Sequence, residues 1–104
     1  MGIFSSIFGT SDQTKLAEVI NEGAFLVDVR SPGEFSSGSV KGAVNIPLDS
    51  LQQQLTKFKG KQNIVVFCRS GNRSSMAKSI LSQHGYPDVV DGGTWQNVNK
   101  VLTQ

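Results

Sequence analysis

Only one cysteine occurs among the 104 residues, at position 68, and only one histidine, at position 84. A lone cysteine cannot close an internal disulfide, and without a Cys/His cluster there is no set of three or four ligands for a zinc site. Cys68 must therefore serve as a thiol or as packing. Long apolar runs are missing too. None approaches the ~20 residues that a membrane span needs, and the N-terminus lacks the charged start and extended apolar stretch of a secretory signal. No membrane partner is expected, and the cytoplasm is the default compartment. Ten basic and eight acidic side chains give a formal net charge of +2 and are spread along the chain. Nucleic-acid binding asks for a dense basic stripe, which is absent, so no nucleic-acid partner is expected.

What is present is an ordinary globular composition, 38 % apolar and 17 % charged, in a length suited to one packed core. Residues 11–104 read as a single domain and residues 1–10 as an N-terminal extension. Within that extension Ile3, Phe4, Ile7 and Phe8 alternate with small groups, a pattern too short to hold a bilayer firmly and read as a terminus docking on the core. Met1, Gly2 and Ser6 also fit an N-myristoylation spacing, which has meaning only beside a eukaryotic transferase.

Along the domain, strands and helices alternate. Thr10 with Gln13 reads as a capping box for a helix over residues 11–22, with Leu16, Val19 and Ile20 on one face and Gly23 behind it. Residues 25–29 form a short, β-branched apolar run broken only by Asp28, which predicts a strand buried on both faces. Pro32 and Gly33 interrupt it, a turn of helix is expected over residues 34–37, and residues 44–46 read as a short strand stopped by Pro47. Asp49 with Gln52 reads as a second capping box, and Leu48, Leu51, Leu55 and Phe58 form a helical stripe up to Gly60. Residues 64–67 are the most apolar run of all and suit a central parallel strand. Met76, Ala77, Ile80 and Leu81 then repeat at helical spacing until Gly85 and Pro87. Val89 and Val90 form one more strand, Gly92 and Gly93 turn the chain, and Trp95, Val98, Val101 and Leu102 mark a last helix. The alternation argues for an α/β fold with a mainly parallel sheet.

The segment Cys68, Arg69, Ser70, Gly71, Asn72, Arg73 runs from the end of the most buried strand to the start of a helix, the place where open α/β sheets bind ligands. Gly71 has access to backbone angles closed to other residues and Asn72 tolerates left-handed ones, so the loop can curl until its N–H groups point inward. Peptide amides would then form a small positive bowl with the sulfur at its floor. The helix N-terminus and the charges of Arg69 and Arg73 favour the thiolate, which is the reactive form. The same donors suit the terminal sulfur of a persulfide. A cysteine after an apolar strand is often only a small buried residue, but here polar and glycine residues follow it where a core element would continue.

These residues resemble the rhodanese family. Asp28, Val29 and Arg30, then Glu34 and Phe35, then Gly42, Ala43, Asn45, Ile46 and Pro47 are similar to its N-terminal signature. The loop from Cys68 to Ser74 resembles the active loop of single-domain members, and Gly92 and Gly93 resemble a glycine pair near the C-terminus. The likeness spans about residues 11–99. It implies a three-layer fold with a central sheet of about five strands flanked by helices. It also implies a sulfurtransferase that takes sulfane sulfur from a thiosulfate-like donor, holds it as a persulfide on Cys68, and passes it to cyanide or a thiol. No metal and no organic cofactor is implied. The partners are then a small anionic donor and a thiol or cyanide acceptor, with a sulfur-accepting protein in a carrier or regulatory version of the same reading. Related phosphatases and arsenate reductases carry five residues between cysteine and arginine, whereas four separate Cys68 from Arg73. The single cysteine also leaves a reductase without a resolving thiol. Two departures stand out: Ser39-Val40-Lys41 where many members have His before the Gly-Ala pair, and a Trp95 that follows the glycine pair closely, as in a shortened C-terminus.

Roles for the surrounding residues follow. Arg69 is expected at the mouth, attracting anionic donors, and Arg73 in a pair with an acid such as Glu34 that fixes the loop, or the two with these roles exchanged. Ser70 and Asn72 either bond substrate oxygens or simply suit the turn. Asp28 and Arg30, at a strand end, are expected to hold neighbouring loops by hydrogen bonds, as structural support and not as catalysts. His84 reads as a surface cap and Trp95 as core or pocket wall.

Overall fold

Every side chain of residues 64–68 is buried, which only a strand covered on both faces allows. The structure, a computed structural model, describes residues 11–104 and arranges them around that strand. In chain order the elements are α1 (Ser11–Asn21), β1 (Phe25–Asp28), α2 (Pro32–Ser36), β2 (Val44–Asn45), a 3-10 segment (Leu48–Phe58), β3 (Ile64–Cys68), α3 (Asn72–Gln83), β4 (Val90–Thr94) and α4 (Trp95–Leu102). The docking of Ile3, Phe4, Ile7 and Phe8, the myristoylation spacing and the Thr10–Gln13 capping box lie outside the described residues. All strand pairings are parallel, in the order β2-β1-β3-β4. Among the described residues the sheet thus has four strands, where the resemblance implies about five.

Strand periodicity divides the core into two halves, because successive side chains of β3 point to opposite faces. Ile64, Val66 and Cys68 pack with Leu51, Phe58, Ala77 and Leu81, under the 3-10 segment and α3. Val65 and Phe67 pack with Leu16, Val19, Val98 and Val101, under α1 and α4. Helices therefore cover both faces, which gives the three-layer α/β arrangement. No helix of the described residues is long and apolar enough to cross a membrane.

Three local expectations are corrected. The segment after Pro47 is a 3-10 helix broken at Gln54 (φ −119°, ψ 23°), and its N-cap is Pro47 with no side-chain capping bond, so the Asp49–Gln52 capping box does not form. The Ser50 N–H donates to the Pro47 carbonyl three residues back, at 3.0 Å. The apolar spacing explains the choice. Leu48 and Leu51 are three apart, as are Leu55 and Phe58, and a 3-10 helix aligns positions i and i+3. Gln54 supplies the one extra residue between the two pairs. In α3 the buried face is Ser74, Ala77 and Leu81, while Met76 is 57 % exposed. A polar residue thus occupies the core-facing first turn, with Met76 left outside.

The glycine pair does not turn the chain out of the sheet but belongs to β4. Val66 pairs with Asp91 and Phe67 with Gly93, so Gly92 is an extra residue in the ladder, the signature of a β-bulge. Gly93 adopts φ +78°, and its N–H donates to Asp91 Oδ1 at 2.9 Å. Gly92 answers a different demand: a Cβ there would lie 2.5 Å from Val98 Cγ2 and 3.2 Å from Val65 Cγ1. Helix α4 can sit this close only because the side chain is missing. Gly92→Ala should therefore destabilise the domain by about 1–3 kcal/mol through overpacking, read as a lower urea midpoint. An unchanged midpoint would mean that α4 is not seated on Gly92.

Candidate active site

Strand β3 ends at Cys68, and three residues later Gly71 caps α3 in the left-handed region (φ 97°, ψ −14°), with no side chain to bond the helix N–H groups. That conformation favours glycine. It turns the Gly71 N–H onto Cys68 Sγ at 3.0 Å, and the Ser74 N–H, at the third helical position, donates to the same sulfur at 3.4 Å. The cysteine sulfur thereby does what an N-cap oxygen usually does, accepting free amides of the first turn. Cys68 Sγ and Ser74 Oγ are 3.6 Å apart, and the Ser74 hydroxyl donates to the Gly71 carbonyl at 3.1 Å.

Cys68 has no exposed surface, so the sulfur expected at the floor of a bowl is covered. Its side chain belongs to the core under α3, yet the loop amides are spent on the sulfur. Burial alone pushes the thiol up. The Ser74 hydroxyl and the amides of Ser74, Gly71 and Ser70 act in the opposite direction, and together they hold it below the ordinary value of 9.0.

Arg73 makes a forked ion pair with Glu34, Nη1 to Oε1 at 2.7 Å and Nη2 to Oε2 at 3.0 Å, across 39 residues of sequence. The carboxylate in turn is set by Ser31. Glu34 Oε1 accepts the Ser31 N–H at 3.1 Å, and the Ser31 hydroxyl accepts the Glu34 N–H at 3.3 Å. This capping box opens α2. The Arg73 guanidinium and then the Ser31 amide hold the Glu34 carboxyl down at about 2, while the same bond raises Arg73. Of the two roles open to Arg73, the structure shows the pairing one. Arg69, Ser70 and Asn72 are exposed around the loop.

Asp28 and Arg30 form a second, buried assembly. Asp28 Oδ1 accepts the Arg30 amide at 2.9 Å and Nε at 3.0 Å, and Oδ2 accepts Nη2 at 2.7 Å. Arg30 Nη2 also donates to the Gly38 carbonyl at 2.6 Å, its guanidinium lies 5.2 Å from the Trp95 ring centroid, and Ser39 Oγ donates to Asp28 Oδ2 at 2.7 Å. The bonds of this pair join β1 to residues 38–39 and α4 and do not run to residues 68–73. Within Ser39-Val40-Lys41, where the chain departs from the family's pattern, Ser39 is thus accounted for as a partner of Asp28. His84 is exposed at the end of α3 with Nδ1 2.8 Å from the Ile80 carbonyl. Sequence reasoning included Ser74 in the resemblance of the loop but gave it no role at the sulfur. The available signal was a small polar residue three positions after a glycine cap, where the stripe called for an apolar one.

A family model described as Rhodanese-like domain matches residues 12–96. Among curated proteins, the chain is 34 % identical over 74 residues to the thiosulfate sulfurtransferase PspE of Escherichia coli, covering 69 % of this chain and 71 % of that one. It is 33 % identical over 70 residues to a sulfurtransferase of Allochromatium vinosum, covering 67 % and 65 %. The chain thus spans a little under two thirds of the length of some relatives it matches. Among solved structures, one described as a rhodanese with anions from E. coli superposes with a TM-score of 0.66 at 31 % identity, over 72 % of this chain and 91 % of that one. With that match, the parallel three-layer fold and the ordered motifs of β1, the Cys68 loop and the glycine pair in agreement, the chain belongs to the rhodanese-like domain family.

Proposed function

We propose that this domain is a sulfurtransferase working through a persulfide on Cys68. The observation that carries the reading is the sulfur of Cys68 held under the N–H groups of Gly71 and Ser74 at the start of α3. In the first half-reaction the Cys68 thiolate attacks the outer sulfur of thiosulfate. The sulfur–sulfur bond of the donor breaks, and sulfite leaves with the electron pair. In the second, cyanide or a thiolate attacks the outer sulfur of the persulfide, and Cys68 leaves again as a thiolate. Arg69 supplies positive charge where an anionic donor arrives, and Ser70 and Asn72 offer hydrogen bonds to its oxygens. Asp28 and Arg30 support the frame. Because Cys68 has no exposed surface, donor entry calls for a local opening at the turn over residues 69–71, ahead of the fastened start of α3. The cytoplasm suits the reaction, since a single thiol stays reduced there.

The similarity to proteins named thiosulfate sulfurtransferase supports this reading. The phosphatase alternative meets a geometric obstacle beyond loop length. The fork of Arg73 is occupied by Glu34, whereas a phosphoryl group needs that fork for its own oxygens. In a sulfurtransferase the pair has a simpler use, fastening the start of α3 to α2 across the loop.

Two outcomes are expected. Incubation with thiosulfate should add the mass of one sulfur atom to the wild type and none to Cys68→Ala, by intact-protein mass spectrometry. An unmodified wild type across several sulfane donors would remove the basis of the reading, and rapid loading with negligible turnover on cyanide or small thiols would turn it toward a carrier for a protein acceptor. Glu34 should also leave a signature in the acid stability curve. Its folded value of about 2 lies below the ordinary 4.5, so its contribution is complete above pH 4.5 and disappears as pH falls toward 2. The urea stability of wild type minus that of Glu34→Gln should be flat above pH 4.5 and decline below it. A difference independent of pH would show that the ion pair contributes nothing.

A further inference from the structure

We propose that the Ser74 hydroxyl is a two-position switch on the Cys68 sulfur, donating to the Gly71 carbonyl while the sulfur carries a proton and turning to the sulfur when it is a thiolate. The hydroxyl has one hydrogen and two acceptors in reach, the Gly71 carbonyl at 3.1 Å and Cys68 Sγ at 3.6 Å. Both cannot be served at once. When the sulfur is protonated, its S–H donates to Ser74 Oγ and the hydroxyl passes its own hydrogen to Gly71. When the sulfur is ionised it has nothing to donate, and the O–H finds a better acceptor in the anion. Rotation costs the Gly71 carbonyl little, because it also accepts the Ser75 N–H at 3.1 Å. No heavy atom has to move.

The amides of Gly71 and Ser74 lack this freedom, for an N–H donates in either state. Ser74 is the one group among the sulfur's described partners able to accept from the thiol and donate to the thiolate. It is also fully buried, so exposed solvent cannot take its place. The charged groups around the loop are compensated: Arg73, whose charge acts on Cys68, is paired with Glu34, and Asp28 at the end of β1 is paired with Arg30. Arg69 stands exposed.

One consequence rests on the sulfur-transfer reading above. In the persulfide, Sγ is a neutral sulfide and the negative charge sits on the outer sulfur, so the hydroxyl returns to Gly71. When an acceptor takes the outer sulfur, Sγ becomes the leaving thiolate and the hydroxyl turns back to it. Ser74 then assists the discharge of the persulfide more than its binding of donor.

The switch is tested by the pH dependence of alkylation of Cys68 with iodoacetamide, which needs no sulfur transfer. In Ser74→Ala the midpoint should rise by about one pH unit, leaving about tenfold less thiolate at neutral pH, while the plateau rate at high pH is kept. Ser74→Thr, which retains the hydroxyl, should restore the wild-type midpoint. Cyanide discharge of a preloaded persulfide should slow by a similar factor in Ser74→Ala, with donor KM little changed. Should the alanine variant not fold, the infrared S–H stretch of the wild type at low pH decides: it should lie below that of a thiol in apolar solvent, as a donating S–H does. An unshifted midpoint in folded Ser74→Ala, or an S–H stretch at the free-thiol position, overturns the switch. A wild type that alkylates as described but takes no sulfur from thiosulfate overturns only the sulfur-transfer reading.

Discussion

A buried sulfur accepting the free amides of a helix N-terminus is the interaction on which the rest of this structure depends. The start of α3 has N–H groups without carbonyl partners, and the usual remedy, an oxygen-bearing side chain at the N-cap, is ruled out by glycine at position 71. The glycine is required because the turn out of β3 needs a left-handed residue there. Cys68 resolves both demands by placing its sulfur where the absent cap would be. Helix start and nucleophile are thus one arrangement, and a change that disturbs either disturbs the other.

Two ion pairs frame this arrangement and differ in kind. Asp28 and Arg30 are buried, so their charges are tolerable only because the carboxylate and guanidinium satisfy one another and recruit Gly38, Ser39 and Trp95. Loss of one partner would leave an uncompensated buried charge, at about 3–5 kcal/mol. Arg73 and Glu34 are each about one third exposed, where such pairs contribute little to stability. Their value is geometric. They connect two segments 39 residues apart in sequence and fix the direction from which the first turn of α3 faces the loop. The buried pair holds the frame and the exposed pair holds the lip.

Much of this was legible in the sequence, for reasons that can be traced to individual residues. The continuous apolar run at residues 64–67 implied a central strand because a strand flanked on both faces has no polar side, and the abrupt change to polar residues after Cys68 located the loop. Period-two alternation could not be read from the same run, so the assignment of Cys68 to the α3 face had to come from the structure. The stripe from Leu48 to Phe58 read as an α-helix because its spacing of three, four and three fits 3.6 residues per turn as well as it fits two 3-10 pieces. Only the backbone at Pro47 and Gln54 distinguishes them. The role of Ser74 was overlooked for a related reason. Hydrophobic periodicity assigns the core face to apolar residues, and a polar group buried to serve one sulfur is invisible to it.

The glycine pair shows how a feature distant in sequence reaches the site through packing. An inserted residue at Gly92 kinks β4 one register position before the level of Cys68, and its missing side chain admits Val98 to the sheet. Helix α4 is thereby drawn close enough that its first residue, Trp95, covers the Arg30 guanidinium. Arg30 in turn neutralises Asp28 and grips the Gly38 carbonyl, so the buried charges at the end of β1 are shielded by a helix whose position is set at the end of β4. A larger residue at position 92 would therefore be felt at two places: as overpacking against Val98, and as a weaker cation–π attraction between Trp95 and Arg30, whose buried charge depends on that cover. The conformational freedom of glycine matters at Gly93, but at Gly92 it is the absence of volume that links the far edge of the sheet to the frame around the sulfur.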